Sequence, residues 1–523
     1  MSRAFSFASV AALLVFFAAS IWLARLDKGG PPHTELMLEG EVPATLYLPG
    51  DGEHREAFLD APPRDERPPA VVMMHGFSGD RLSMSGISRR LAESGYAVLN
   101  IDARGHGQNR NPFSSSWAAP DLFYPDLLAA VEFLRAYPFV DGSRIAVMGH
   151  SMGAGASLDY ASRDSAIGAA VLVSGGWRIQ GPHRPPNTLF LYATGDPERI
   201  RGRSRQLAAG LAGVNDPEVG RTYGDPTRGD AVRLAEVAGA DHQTIVWREA
   251  AVRETVAWLD ATFGVARSPG PVPDDPRAPL LPLIWAAFLL VMVGLGQVVG
   301  RLVPAQPYRP GGGRIAGLAA IAAAFALTMP LLALGTPGFI LSMEVGDVFV
   351  SHFALAGIVL LVAIRMREPE LIDSLFAPRL LPTLIGAAVG TIGVFTLMRV
   401  FEPVMHRLTL TPERFLVFVM AALGLLPLAL AFNLLLRRGT TAGATLTSLA
   451  GRVLVLLVLF AGVQVGILSM VMLFMLPALG FVCLQFEVLA AAIYASSRNL
   501  LALSLIDAAW LAMVIAAIMP IRI

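Results

Sequence analysis

The sequence predicts two kinds of structure in one chain: an α/β domain with a mostly parallel sheet and helices on both faces, and an all-α multi-span transmembrane domain. Three observations predict it. Between about His33 and Gly264, short β-branched runs alternate with amphipathic stretches at helical spacing, the pattern of repeated βα units. From Leu280 onward the chain is nearly continuous apolar sequence broken by short arginine-bearing loops. Over all 523 residues, 54% are hydrophobic and 16% charged, with a mean hydropathy of +0.55, whereas soluble domains are about 25% charged.

The same composition excludes several function classes. Formal net charge is zero and the pI is near 7.2, so nothing recommends nucleic acid as a partner. Cys483 is the single cysteine, which rules out an intrachain disulfide and a thiolate metal cluster. Lys28 is the only lysine, so Schiff-base chemistry has almost nowhere to occur.

Taken in order, Ala4 to Ala24 is an apolar run flanked by Arg3, Arg25, Asp27 and Lys28. It exceeds the core of about 7–15 residues usual in cleaved signal peptides, and its small residues Ala18, Ala19 and Ser20 lie inside the run. Residues 1–28 are therefore read as an N-terminal transmembrane signal anchor. Thr34–Glu39 and Ala44–Leu48 follow without an intervening helix, as antiparallel edge strands. Buried strands are expected at Ala70–Met74, Ala97–Asp102, Ile145–Gly149, Ala169–Val173, Thr188–Ala193 and Val232–Val237. Helices are expected at Ser83–Ser94, Asp121–Ala136, Met152–Arg163, Arg201–Ala212 and Thr244–Phe263. These elements make residues 33–264 the catalytic domain, as argued below. Residues 265–279, punctuated by Pro269, Pro271, Pro273, Pro276 and Pro279, read as a semi-extended linker.

Residues 280–523 then hold about eight spans: Leu280–Gly300, Ile315–Leu334, Val348–Ile364, Leu380–Met398, Phe415–Leu436, Val453–Met475, Leu479–Ala495 and Leu500–Met519. With a cytoplasmic N-terminus, the inside loops hold Arg301, Arg309, Arg314, Arg365, Arg367, Arg379, Arg437, Arg438, Arg452 and Arg498. The outside holds Arg399, Arg407, Arg414 and Arg522. That bias orients a multi-pass protein with the α/β domain on the outer face; taking a bacterial cell as the setting, the chain lies in the cell (inner) membrane with this domain on the periplasmic or extracellular side.

The chemistry is carried by Gly149-His150-Ser151-Met152-Gly153, a G-x-S-x-G sequence directly after a buried strand and before a helix. Side chains at the two glycines would meet neighbouring backbone, and the turn lifts Ser151 above the sheet. Serine needs a base to take its proton and a carboxylate to orient that base. In the order serine, acid, histidine, Asp196 lies at the end of Thr188–Ala193, and Asp241-His242 follows Val232–Val237. His242 is the expected base, since His183 precedes the acid. Asp196 is the expected acid over Asp241, which neighbours the base in sequence. An oxyanion needs two donors; the N–H groups of Met152, at the helix start, and Phe77, in the turn after Val71–Met74, are the candidates. His75 reads as a structural residue of that turn.

Together, His75-Gly76-Phe77-Ser78-Gly79, Asp102-Ala103-Arg104-Gly105-His106-Gly107, the elbow, Gly195-Asp196 and Asp241-His242 resemble the α/β-hydrolase superfamily. Within it they are similar to the dienelactone-hydrolase-like and prolyl-oligopeptidase-like serine hydrolases. The resemblance implies acyl-group hydrolysis through an acyl-serine, with no cofactor and no metal. Serine at the apex departs from the cysteine common in dienelactone hydrolases proper. No family is recognised in the membrane half.

The short Pro-bearing loop between Val173 and Thr188 leaves no room for a helical cap, so an open site is expected. A polar loop through Asn215, Tyr223 and Asp230 is a candidate for one wall, and Phe113, Trp117, Phe123 and Tyr124 for the other, although such aromatics more often serve as core anchors. In the membrane half, Glu344, Asp347, His352, Glu402 and His406 read as interfacial and solvated. Glu487, Asp507, Gln464 and Asn433 lie deeper, where helix–helix hydrogen bonding accounts for them as readily as a conduction path. The expected protein is a membrane-bound serine hydrolase cleaving acyl esters that are lipidic or delivered by the bilayer. The alternatives are a peptidase of the same fold, or a transporter- or channel-like protein whose α/β domain processes or senses cargo.

Overall fold

The computed structural model describes residues 3–50, 67–114, 121–177, 179–266, 272, 274–333, 341–376, 379–469 and 471–522. The chain divides into two compact units. One comprises Met1–Trp22, Pro279–Val400 and Leu408–Met519, and the other Leu23–Ala278, Phe401–Arg407 and Pro520–Ile523. Helix α1, Arg3–Gly29, contributes to both.

The second unit is built on a nine-stranded sheet. In chain order its elements are β1 (His33–Leu38), β2 (Val42–Tyr47), β3 (Ala70–Met74), α2 (Ser85–Glu93), β4 (Ala97–Ile101), α3 (Tyr124–Ala136), β5 (Ile145–His150), α4 (Met152–Ala161), β6 (Ala169–Val173), β7 (Thr188–Ala193), α5 (Glu198–Ala212), β8 (Thr222–Tyr223), β9 (Val232–Val237) and α6 (Glu249–Phe263). Their spatial order is β1-β2-β4-β3-β5-β6-β7-β9-β8. The pairs from β4 through β9 are parallel, whereas β1–β2, β2–β4 and β8–β9 are antiparallel. Side chains alternate across a strand. Accordingly Val72 and Met74 of β3 enter one hydrophobic core with Leu127 and Leu158, while Val71 and Met73 enter the other with Leu91 and Leu259. Burial on both faces explains why these strands read as unbroken apolar runs.

The six buried strands expected from sequence are found within a residue of their bounds. Two expected helices instead begin as 3₁₀ turns, Arg81–Met84 and Ile245–Trp247; Asp80 caps the first by accepting from the N–H groups of Leu82 and Ser83, and Asp241 accepts from the Thr244 N–H just before the second. Of the expected linker, Pro269, Pro271 and Pro273 lie outside the described residues. Val272 is buried with the α6-side core, and the buried Arg277 guanidinium pairs with Asp275 at 2.8 Å.

The first unit is helical: α7 (Leu280–Leu302), α8 (Arg314–Ala333), α9 (Gly346–Arg367), α10 (Pro369–Phe376), α11 (Leu380–Met398), α12 (Pro412–Leu436), α13 (Thr441–Gln464), α14 (Val471–Ser497) and α15 (Leu500–Ile518). Counting α1, nine helices among the described residues are long and apolar enough to cross a membrane, which is compatible with a multi-pass membrane protein. One expected span shifts, and the next, expected from Leu479, begins at Val471. Thr440 caps α13 by accepting from the N–H of Gly443, and Gly466, at φ +78°, follows its end. The span therefore runs over 441–464 rather than 453–475. Arg452 thereby moves from a loop into a helix, where its guanidinium meets Glu487 at 2.7 Å and Asp507 at 2.8 Å. Arg437 reaches the other Glu487 oxygen at 2.8 Å, and Asn433 donates to Ser504. Glu487 and Asp507 are thus joined by ion pairs rather than neutral hydrogen bonds. Asp347 and His352 are buried in this unit rather than solvated: Asp347 accepts from the N–H of Leu341 at 2.7 Å, and His352 Nε2 lies 3.2 Å from the Phe325 carbonyl.

Candidate active site

Ser151 stands between β5 and α4 with φ +51° and ψ −109°, a sparsely populated conformation for a residue with a side chain. The turn is held by its own N–H, which donates to the Val173 carbonyl at 2.8 Å. Two close approaches require glycine. A Cβ at Gly149 would run into the Gly153 carbonyl, and one at Gly153 into the carbonyls of Met74 and His75. Helix α4 therefore starts tight against the ends of β3 and β5, with Met152 as its first residue.

His242 and Asp196 come to Ser151 from the ends of neighbouring strands β9 and β7. The Ser151 hydroxyl lies 3.0 Å from His242 Nε2, and His242 Nδ1 lies 2.7 Å from Asp196 Oδ1. A carboxylate on Nδ1 fixes the hydrogen there and leaves Nε2 to accept the serine proton. Asp196 is 3% exposed and His242 6%. Burial alone would raise the Asp196 carboxyl, but hydrogen bonds from His242, the Ser174 hydroxyl and the Ala193 N–H outweigh it and hold it below the usual carboxylate value. The three residues named from sequence are thus brought together. Asp241 is turned away, accepting from the N–H groups of Gln243 and Thr244. His183 is exposed on a separate loop.

The turn bearing Phe77 also reaches the nucleophile. A Cβ at Gly76 would stand 2.8 Å from His150 Nδ1 and 3.3 Å from Ser151 Cβ. His75 is buried, with Nδ1 2.7 Å from the Gly76 carbonyl and Nε2 3.1 Å from the Ala103 N–H. It must therefore donate through Nδ1 and accept through Nε2, the neutral tautomer. Burial first of all lowers its pKa, in keeping with that form.

Two residues of the site were not singled out from sequence. Ser174, just after β6 at φ +48°, donates to Asp196 Oδ2 at 2.6 Å. His150, inside the elbow, places Nε2 2.8 Å from the His242 carbonyl. Burial, followed by the His242 charge, pulls its pKa down to about 3, so the neutral ring donates and fixes the loop of the base. Trp177, 40% exposed, lies against α4 at Gly155.

The expected walls fare differently. Tyr223 pairs with Val232 at the start of β9, and Asp230 lies two residues before that strand, so this loop lies at the sheet edge opposite Ser151, Asp196 and His242. The parallel register puts those three residues at the strands' C-terminal ends, which is the reason. Phe113 is buried against Phe77, His106 and Phe123 and acts as packing. Tyr124 stacks on Tyr160, and Trp117 lies outside the described residues. Among the described residues from Ser174 to Asn187 there is no helix over the site.

Residues 65–202, from before β3 into α5, match the family model for serine aminopeptidase, S33. The unit has the α/β-hydrolase fold. The α/β unit is 32% identical over 133 residues to a bis(hydroxyethyl) terephthalate hydrolase of Streptomyces coelicolor, covering 24% of this chain and 39% of that protein. It is 27% identical over 189 residues to cutinase cut1 of Thermobifida fusca, covering 33% of this chain and 56% of that protein. A solved hypothetical protein, PA2218 of Pseudomonas aeruginosa, aligns at 16% identity and a TM-score of 0.32, over 45% of this chain and 94% of its own. The chain thus spans 39% and 56% of the length of these two curated relatives.

Proposed function

We propose that this chain is a membrane-bound serine hydrolase that cleaves carboxylic esters, with Ser151, His242 and Asp196 as its catalytic triad. The observation that carries the reading is the unbroken relay from the Ser151 hydroxyl through His242 to the buried Asp196 carboxylate, at 3.0 and 2.7 Å. Relatives named as ester hydrolases support the substrate class.

In this reading Ser151 Oγ attacks the ester carbonyl as His242 Nε2 takes its proton, and the carbonyl π electrons move onto oxygen. The N–H groups of Phe77 and Met152 hold that oxyanion, the second reinforced by the start of α4. Collapse of the intermediate expels the alkoxide, which takes the proton from His242 and leaves an acyl-serine. Water, deprotonated by His242, attacks the acyl carbon and releases the acid, and the proton returns to Ser151. Asp196 stabilises the imidazolium in both halves. Neither a cofactor nor a metal enters any step.

The absence of a helix among the described residues from Ser174 to Asn187, together with a set of long apolar helices, supports a lipidic or bilayer-delivered ester as substrate. The nine long apolar helices support placement in the cell (inner) membrane, with residues 1–28 as signal anchor, 33–264 as catalytic domain, 265–279 as linker and 280–523 as membrane domain. The loop-arginine bias supports a periplasmic or extracellular catalytic domain. A peptidase reading draws on the family model's description as a serine aminopeptidase. Turnover of matched ester and aminoacyl-amide substrates by the full-length protein separates the two. Esters are expected to be cleaved and amides not, with Ser151→Ala lowering turnover by about 10⁶-fold. Amide cleavage at comparable kcat/KM replaces the ester reading, and undiminished turnover by Ser151→Ala contradicts both.

A further inference from the structure

The turn that carries Phe77 contains Gly76 and Gly79, so its backbone has little stiffness of its own. Two segments far along the chain, both part of the hydrolase unit, close on it from different directions. The first is Phe401–Arg407. Asp80, buried at the end of the turn, accepts through Oδ1 from the N–H groups of Leu82 and Ser83 at 2.9 and 3.2 Å. Its other oxygen accepts from the Arg407 N–H at 2.7 Å and faces His406 Nδ1 at 3.2 Å. The Arg407 guanidinium in turn pairs with Glu35 of β1.

The second segment is the C-terminal tail. The Ile521 N–H donates to the Gly105 carbonyl at 2.9 Å, and its carbonyl accepts from the Phe113 N–H at 2.9 Å. This bridge fixes Phe113, whose buried ring meets Phe77 edge-on at 6.2 Å between centroids and His106 at 5.5 Å. His106 lies 5.8 Å from Phe77 and 5.1 Å from His75. Ile521 is thus linked to the turn through one intermediate residue.

We propose that Asp80 and Phe113, held by His406-Arg407 and by Ile521, are positioning residues for the Phe77 N–H. The segments 401–407 and 520–522 thereby complete the oxyanion side of the site. The inference rests on the serine-hydrolase reading above. A backbone donor must lie within about 2.7–3.1 Å of the position the oxyanion takes, and a displacement of about 1 Å costs up to about 100-fold. A donor on a glycine-rich turn depends on what flanks it.

The bridge at Ile521 is made by backbone, which gives a discriminating pair of variants in the full-length protein. Ile521→Pro removes the N–H and is expected to lower kcat on a p-nitrophenyl ester about tenfold, with KM within about twofold of wild type. It is also expected to weaken inhibition by an alkylboronic acid, a mimic of the tetrahedral intermediate, by the same factor. Ile521→Ala keeps the backbone bridge and loses only buried side-chain atoms, so its kcat should fall clearly less than that of Ile521→Pro. Phe113→Leu, which keeps the position apolar but removes the ring, should show the same kcat-only loss and gives the answer should Ile521→Pro fail to fold. Wild-type kcat and boronate affinity in Phe113→Leu and in folded Ile521→Pro overturn the proposal, as does an Ile521→Ala variant as impaired as the proline variant. Ser151→Ala runs alongside: if it stays active the serine-hydrolase reading fails, whereas an inactive Ser151→Ala beside fully active Phe113→Leu and Ile521→Pro variants removes only the positioning role.

Discussion

Ser174 Oγ lies 2.6 Å from Asp196 Oδ2, the carboxylate oxygen not used by His242. One oxygen thus serves the imidazole while the other is fixed by a hydroxyl and by the Ala193 N–H at 2.8 Å. Both bonds favour the ionised carboxylate against the cost of burying it.

Replacing Ser174 by alanine removes one of the bonds that hold the Asp196 carboxyl below its ordinary pKa. A hydrogen bond to a charged group contributes about 1.5–3 kcal/mol, so kcat/KM is expected to fall by about 10- to 150-fold. The sign of the pH effect follows. The carboxyl pKa rises, the ionised form is lost at higher pH, and the acid limb of the kcat/KM profile moves upward. Titrating hydrolysis by wild type and Ser174→Ala checks it.

His150 predicts a pH dependence of stability. Its folded pKa is pulled down to about 3, against about 6.5 when unfolded. Between those values the unfolded chain binds a proton that the folded chain refuses. This contribution to stability is therefore complete above about pH 6.5 and is lost as pH falls toward 3, on the order of 5 kcal/mol over the whole window. Melting temperatures across that range should fall less steeply for His150→Asn than for wild type.

Much of the hydrolase unit was legible because its strands are buried on both faces, so Val71–Met74 and Leu189–Tyr192 announce themselves as apolar runs. The convergence of Ser151, His242 and Asp196 was legible because the elbow and the strand ends fix where they lie. What was not legible depends on contacts between residues distant in sequence. Ser174 and His150 have no pattern of their own; each matters only because β6 and β7, or the elbow and the His242 loop, come together. A histidine inside G-x-S-x-G was a signal that could have been followed. Arg452 was misplaced because the apolar run across Gly466 hides where one helix ends and the next begins, while the Thr440 cap that starts α13 is a short-range cue that could have been read.

That same Arg452 leads to a prediction for the helical unit. Glu487 is almost fully buried and meets Arg437, Arg452 and the Ser448 hydroxyl. Removing one partner of a buried ion pair costs about 3–5 kcal/mol. Glu487→Gln is expected to lower the denaturation midpoint of the detergent-solubilised protein accordingly, and an unchanged midpoint would show that the network does not hold the helices together.

At the elbow, Gly153→Ala drives a methyl group into the Met74 and His75 carbonyls. Relief requires α4 to move off β3, at a cost of about 1–3 kcal/mol. Esterase turnover should fall together with thermal stability, whereas Ser151→Ala should lose turnover at an unchanged melting temperature. Comparing the two variants by thermal denaturation separates architecture from chemistry.

The most direct test of the central claim is covalent labelling of the full-length protein by a fluorophosphonate probe, with the modified residue located by mass spectrometry. The account predicts modification at Ser151, abolished in Ser151→Ala and strongly slowed in His242→Ala. Labelling at another serine, or none at Ser151 in folded protein, would contradict it.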